Sequence, residues 1–406
     1  MTQWQFHTPD GVSDLLPEEC AEKRRIEQTI RSVFEKRGYF EIETPGLEFF
    51  DVYAVGSGAV PQEALFKCID HQGRILCLRY DGTVPTARVA ATLFRDAALP
   101  QRFYYVGNMY RYNEFGGGRQ RSFSQAGVEL IGSSSPEADA EVIATAITTA
   151  RKTGIEDLQV SIGQVAFFKG ILSEWGISGE AARQLPHLID SKQMVAIEEM
   201  ADRLQLPKAA RAVILKLASS QGSDDDLDTF EQLVRSPVAQ QAITNLREVL
   251  MILEDYDCRR YVTVDLGMLQ SLNYYTGVIF KGFTYNLGFP LFSGGRYDQL
   301  LQSFGRDLPA TGFSMGISLA MTALQRQGIR SKPQAVPCWI CYEKPERSAA
   351  LKLAEQMREA GSNVICNGLT GDIHSFLARR PDAKVILMQP GGTWQWLQGG
   401  DPACNS

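Results

Sequence analysis

The sequence is short of several things, and each shortage removes a class of function. Basic charge is not in excess: 41 Lys and Arg face 47 Asp and Glu, a net charge of -6. That leaves no global cationic footprint for a phosphate backbone. No apolar run reaches the roughly 20 residues that a membrane-spanning helix needs. The opening residues, MTQWQFHTPDG, have no basic flank followed by an apolar segment, so the expectation is a chain without a secretory leader, in the cytoplasm. Histidine is scarce, with 4 in 406 residues, and the 8 cysteines are scattered along the chain. Free thiols in a reducing compartment are the reading of such a pattern. Only Cys338 and Cys341 have the spacing of metal ligands, and neither a second pair nor a nearby histidine completes a tetrahedral set, His374 being isolated. They lie in AVPCWICYE, which reads as a buried strand, so no metal and no cofactor is expected. There is no internal repeat and no low-complexity run beyond GSDDDLD, an acidic segment suited to a helix-capping loop.

What is present is an ordinary globular composition, 44% hydrophobic and 22% charged, in a chain long enough for two or three domains. Ile26, Ile30 and Phe34 fall at i, i+4 and i+8 and predict a helix over 17–37. Strand-like segments follow: GYFEIETP, ILCLRY, RFYYVGNMYRY and SFSQAGVELIG. A helix is expected over 136–153 and a strand at LQVSIGQ; residues 164–256 then read as mostly helical. Strands return at RYVTVDLGML, TGVIFKGFTYN and PLFSGGRYD. After the linker GIRSKPQAVP a short tail alternates strand and helix, with helices near 345–360 and 372–379. The pattern is α+β, mainly antiparallel sheet and helices, rather than strict βαβ alternation.

The richest stretch is YRYNEFGGGRQRSFSQAGVELIG, two strand-like runs around a glycine-rich turn at Gly116–Gly118. Period 2 puts Arg121, Phe123, Gln125 and Glu129 on one face. A cation, an aromatic ring, an amide and a carboxylate are costly to bury as plain core. They suit a polar small ligand: phosphate or carboxylate on Arg111, a ring on Phe123, an amine on Gln125 or Glu129. LRYDGTVPTARV ends an apolar strand in Asp81 and Thr83, a pair that can hold an ammonium group or serve in ordinary turn chemistry. SLNYYTGVIF and FSGGRYDQL place Tyr274, Tyr275 and Arg296 on neighbouring strands, where tyrosines serve as core or interface residues or as part of a site. PATGFSMGISLAM reads as a strand turning into a helix, a corner that brings backbone close to a nucleotide. Such a corner normally carries a cation for phosphate; here it carries Ser318 and Leu319.

Taken together, these segments resemble class II aminoacyl-tRNA synthetases, and among them histidyl-tRNA synthetases. The resemblance covers residues 5–325. TPDGVSDLLPEE is similar to the family's N-terminal segment, and GYFEIETPGLEFFDVY, with Pro45, to its dimer-forming first motif. YRYNEFGGGRQRSFSQAGVE resembles motif two, TGFSMGIS motif three, and LNYYTGVIF and SGGRYD the two histidine-specific signatures. LIDSK, 188–192, is similar to the start of the family's helical insertion. The fold implied is an antiparallel sheet core flanked by helices over 1–325, with a helical insertion at about 175–257, then a small C-terminal α/β domain over 326–406.

The resemblance also implies roles. Asp81, Thr83 and Gln125 would hold the amino group of histidine, Glu129 and Tyr275, with Tyr274 beside it, the imidazole, and Arg111 the carboxylate or an α-phosphate. Phe123 would stack on adenine, with Arg121 and Arg296 on the nucleotide side. The departures fall on that nucleotide side. Where active enzymes of the family have arginine in the first histidine signature, this chain has Gln270. Where motif three continues Glu-Arg, it has Ser318 and Leu319; the motif-two Glu-Arg pair is Asn113 and Glu114. Cationic clamps supply much of the rate in phosphate transfer, and one lost donor costs about 3–4 kcal/mol by analogy with oxyanion-hole deletions. Nor is there a basic surface for tRNA: residues 180–257 hold 8 Lys or Arg against 14 Asp or Glu, and residues 331–406 hold 8 against 7.

A chain with the amino-acid pocket kept and the activation residues lost is most similar to the paralogous family of ATP phosphoribosyltransferase regulatory subunits. That resemblance implies a non-catalytic chain in histidine biosynthesis, partnered by a short-form catalytic subunit, dimeric through the motif-one region, and responsive to histidine, with neither tRNA nor membrane as a partner. A divergent active histidyl-tRNA synthetase, and a synthetase-like binding module with another partner, are the alternatives.

Overall fold

The computed structural model describes residues 6–54, 60–112, 120–220, 225–269, 275–329, 337–369 and 371–399. The chain forms two compact units, residues 1–330 and 331–406.

The first unit is built on an eight-stranded sheet. Its strands are β1 (Phe40–Glu41), β5 (Gln101–Tyr110), β6 (Ser122–Ile131), β7 (Leu158–Gln164), β8 (Val262–Val264), β9 (Val278–Thr284), β10 (Phe292–Arg296) and β11 (Ala310–Gly316). They lie in the order β1-β5-β6-β11-β10-β9-β7-β8. The five inner pairings are antiparallel; only the flanking pairs β1–β5 and β7–β8 are parallel. A small antiparallel sheet of β2 (Leu47–Phe49), β3 (Lys67–Ile69) and β4 (Ile75–Leu78) sits apart from it, in the order β2-β4-β3.

One face of the large sheet is closed by helices. The helix Pro17–Lys36 buries Ile26, Ile30 and Phe34, the expected stripe, and starts with proline in its first turn and a bond from the Leu16 amide to the Glu19 carboxylate at 2.8 Å. The helix Pro136–Thr153 again has proline at its start, acids in its first turn, and ends on Gly154 at φ +109°. Its alanine-rich face lets it lie close on the sheet. Six helices, from Val165–Glu174 to Pro237–Asp255, separate β7 from β8, and their buried side chains join the same core as the sheet.

Three expectations need correction. GYFEIETP gives only the two residues of β1, because the Thr44 carbonyl that a longer strand would pair is taken by the Arg79 guanidinium at 2.6 Å. Asp81 and Thr83 do not end a strand: β4 stops at Leu78, and Thr83 opens a helix, Thr83–Thr92, whose Pro85 lies in the first turn, where proline is tolerated. Arg121 precedes β6 instead of sharing its face; its amide donates to the Gly11 carbonyl.

The second unit carries β12 (Cys338–Tyr342), β13 (Val364–Gly368), β14 (Lys384–Met388) and β15 (Trp394–Gln398), in the order β13-β12-β14-β15. The first three are parallel and β15 is antiparallel. Helices span Arg347–Glu359 and Ile373–Ala378, close to the expected ranges; β15 had no expectation attached.

Candidate functional site

The site grows from the register of three central strands. Gly107, Tyr105 and Phe103 of β5 stand opposite Gln125, Gly127 and Glu129 of β6. Across β6, the same three residues face Gly316, Ser314 and Gly312 of β11. Period 2 therefore puts an amide, a ring and a carboxylate on one face, over glycines. The glycines are required by space. A Cβ at Gly312 would lie 1.9 Å from Glu129 Oε2, and one at Gly127 would lie 2.4 Å from the Tyr105 hydroxyl. At Gly82, at the start of the helix Thr83–Thr92, it would come within 2.2 Å of the Tyr105 ring.

Glu129 is fully buried, yet both its oxygens are bonded: Thr83 donates to Oε1 at 2.6 Å and the Tyr297 hydroxyl donates to Oε2. Burial pushes its pKa up to about 8, against the pull of those two donors. Asp81 accepts from the Val84 amide at 3.1 Å, and burial raises its carboxyl to about 6. Tyr275 is raised as well, by burial first and then by the two carboxylates. Gln125 donates to the Ser314 hydroxyl at 3.0 Å, while its Oε1 is buried with no hydrogen-bond partner among the described residues. Two buried acids and an unpaired amide oxygen in one pocket offer acceptors for N–H groups.

Arg111 lies at the mouth. Its guanidinium stacks over Tyr80 and Phe123, 4.6 and 4.9 Å from the ring centroids, and its Nε donates to the Tyr80 carbonyl at 3.4 Å. Beside it a cavity of about 260 Å³ is lined by Arg111, Gln120, Phe123, Ser318, Leu319 and Thr322. The helix Ile317–Arg326 starts there, directly after β11, as the sequence predicts. The Ser318 hydroxyl oxygen accepts from the Ser124 amide at 3.4 Å, and Leu319 presents an apolar side chain. Arg111 is the one cation among the described residues of that lining.

Asp81, Thr83, Arg111, Phe123, Gln125, Glu129 and Tyr275 are thus placed around one face, and Leu319 at its rim. Two expected members are elsewhere. Arg296 does not line the cavity: its guanidinium is 7% exposed and is held by Asp139 at 3.0 Å, Asp298 at 3.3 Å and the carbonyls of Ser133 and Ser135. A cation that far from water needs such a cage. Arg121 stacks over Tyr112 and donates to the Asp10 carbonyl. Asn113, Glu114, Gln270 and Tyr274 lie outside the described residues. The sequence reading missed Tyr105, Tyr297 and Ser314. Tyr105 on β5 and Ser314 on β11 alternate toward Glu129 and Gln125, and Tyr297 directly follows β10; each is visible only once the pairing is known. Among the described residues no group of three His, Cys, Asp or Glu could hold a metal ion.

An antiparallel core with this motif order and a glycine-floored pocket on its open face defines a class II aminoacyl-tRNA-synthetase-type protein. Residues 11–319 match the family model described as histidyl-tRNA synthetase. The chain is 48% identical over 375 residues to the ATP phosphoribosyltransferase regulatory subunit of Acetivibrio thermocellus, covering 92% of this chain and 90% of that one. It is 47% identical over 364 residues to that of Ruminiclostridium cellulolyticum, covering 90% and 87%. A crystal structure described as an ATP phosphoribosyltransferase regulatory subunit/histidyl-tRNA synthetase from Bacillus halodurans superposes with a TM-score of 0.86 at 32% identity, over 95% of this chain and all of the other. The histidyl-tRNA synthetase of Nostoc, at 24% identity and a TM-score of 0.79, shares the fold. The chain belongs to the histidyl-tRNA-synthetase-like family of ATP phosphoribosyltransferase regulatory subunits.

Proposed function

We propose that the chain is a non-catalytic subunit that binds L-histidine and regulates a short-form ATP phosphoribosyltransferase catalytic subunit, in the first step of histidine biosynthesis in the cytoplasm. The observation that carries the reading is an asymmetry within one site. On the amino-acid side Thr83, Glu129 and Tyr297 form a closed hydrogen-bonded set, and Gln125 Oε1 is buried with no partner among the described residues. On the nucleotide side the helix start offers Ser318 and Leu319 where phosphate chemistry asks for cations. Histidine supplies what the first half lacks: an ammonium for Asp81, Thr83 and Gln125, an imidazole for Glu129 and Tyr275 (with Tyr274 beside it), and a carboxylate for Arg111. The second half, with Asn113, Glu114 and Gln270 from the sequence, is a degenerate ATP site with Phe123 as its remaining platform.

Regulation requires that histidine bind two states of the assembly with different affinity. Dimerisation through the motif-one region would supply the symmetric frame. The core over 1–325, with its insertion at about 175–257, carries the site, and residues 326–406 form a separate domain without a basic surface for tRNA. The test is histidine-dependent ATP–pyrophosphate exchange by the purified chain, beside histidine calorimetry. No exchange with histidine bound supports the reading. Exchange that is lost in Arg111→Ala would instead indicate a divergent synthetase, and no histidine binding at all a module with another ligand.

A further inference from the structure

Several arginines of this fold are matched by carboxylates. Arg296 has Asp139 and Asp298, Arg88 has Glu48 at 2.7 Å, and Arg102 donates to both oxygens of Glu141 at 3.0 and 2.9 Å. Three arginines on the helical side of the large sheet are not. Arg37 directly follows the helix Pro17–Lys36, Arg151 lies in the last turn of the helix Pro136–Thr153, and Arg260 lies in the short turn Arg259–Tyr261 that leads into β8. Their guanidiniums gather on two tyrosines. Arg37 lies 5.8 Å from the ring centroid of Tyr256, and Arg151 and Arg260 lie 5.2 and 5.1 Å from that of Tyr261. Burial raises the thiol of Cys258, to which Asp257 adds, while Arg37, Arg151 and Arg260 each pull it back, so all three are within electrostatic reach of one point. None of the three forms an ion pair with any described residue. Arg37 donates to the hydroxyls of Thr145 and Thr148 at 3.2 and 2.9 Å, and the side chains of the other two form no hydrogen bond with any described residue. Tyr256 is 42% exposed, and Arg151 and Arg260 are exposed as well. Two like charges over one ring repel, and more strongly as water is removed, so a neutral surface laid there is disfavoured and an anionic one relieves the repulsion.

We propose that Arg37, Arg151 and Arg260, with Tyr256 and Tyr261, form the surface on which an acidic face of the short-form catalytic subunit docks. The inference rests on the reading of this chain as that subunit's regulator. Cations spread over three elements and interleaved with phenol rings suit a broad acidic surface rather than a single phosphate, and arginine and tyrosine are residue types enriched where proteins meet. The chain carries a net charge of -6, so an acidic partner is repelled by most of its surface and steered to this part of it. The helices Pro17–Lys36 and Pro136–Thr153 cover the face of the sheet opposite the pocket, and a partner seated on their ends leaves the pocket open to its ligand.

The experiment titrates the full chain with a short-form catalytic subunit by calorimetry, at low and at high salt. Two double variants are compared with it, Arg151→Glu with Arg260→Glu and Arg151→Gln with Arg260→Gln, and the histidine affinity, melting temperature and mass of each isolated chain are recorded. Glutamate at a helix C-terminus opposes the dipole, so if the first variant melts early the second decides. Affinity of the native chain is expected to fall as salt rises. The glutamine pair should bind the subunit about 10-fold and the glutamate pair about 100-fold more weakly, with histidine affinity and mass unchanged. Equal binding of the subunit by all three chains would overturn the proposal, and binding of inorganic tripolyphosphate by the native chain alone would then assign the arginines to a phosphate ligand. Native affinity indifferent to salt would overturn it too, as would variants that change the mass of the isolated chain, which would assign the arginines to a contact between two copies. A native chain that fails to bind the subunit at all would overturn the underlying reading instead, which separates the two failures.

Discussion

Glu129 concentrates the chemistry of the site in one side chain. Its carboxyl titrates near 8 in the folded chain and near 4.3 in an unfolded one. Between those values the folded state holds the extra proton. The stability this contributes is complete below about pH 4.3 and declines as pH rises toward 8. Asp81, raised to about 6, acts in the same direction over a lower window. The ligand-free chain should therefore melt at lower temperature as pH goes from 5 to 8, with a slope of at most about 1.4 kcal/mol per pH unit from Glu129. Glu129→Gln should flatten that slope in a pH series of thermal melts, and an unaltered slope would mean that the carboxyl is solvated. In the proposed reading the same residues recognise the ligand. Glu129→Ala and Tyr275→Phe are each expected to weaken histidine at least tenfold by calorimetry, the first leaving the imidazole without its carboxyl partner.

At the scale of elements, the pocket depends on strands that come close enough to leave no room for side chains. Gly312→Ala would press a methyl group into Glu129 Oε2 and the Val128 carbonyl, at 1.9 and 2.5 Å. The cost should be about 1–3 kcal/mol of stability, measured by urea unfolding, together with loss of histidine binding. The helix Pro136–Thr153 is tied to β10 by Asp139 and Arg296, which are 1% and 7% exposed. Arg296→Met strands the carboxylate and should cost about 3–5 kcal/mol; a loss below 1 kcal/mol would show that Asp139 finds another partner. Much of this framework was legible in the sequence. Proline at the first helical turn and glycine after the last marked the helix Pro136–Thr153, and alternation marked β6, because both signals are local. The helix Thr83–Thr92 was hidden: Asp-Gly followed by Thr-Val-Pro reads as turn chemistry, and its buried alanines become a helix only against the residues packed on it. Arg296 was misplaced for a related reason. Its partner Asp139 is 157 residues away, and nothing in a run of residues distinguishes an arginine caged by a distant carboxylate from one aimed at a ligand. Tyr105 and Tyr297 were missed because strand pairing, not spacing, brings them to Glu129.

At the scale of the whole molecule, the proposed reading is of a synthetase fold that keeps one half of a two-substrate site. No helix among the described residues is long and apolar enough to cross a membrane, and the net charge of -6 offers no general attraction for nucleic acid. On that reading the chain is a receptor whose occupancy its partner subunit senses. The most direct test is phosphoribosyl-ATP formation by a short-form catalytic subunit, assayed with and without this chain while histidine is titrated. The account predicts little activity from the catalytic subunit alone, strong stimulation by the native chain, and inhibition by histidine that Glu129→Ala abolishes while stimulation persists. Stimulation whose histidine inhibition is unchanged in Glu129→Ala would contradict it, as would no stimulation at all.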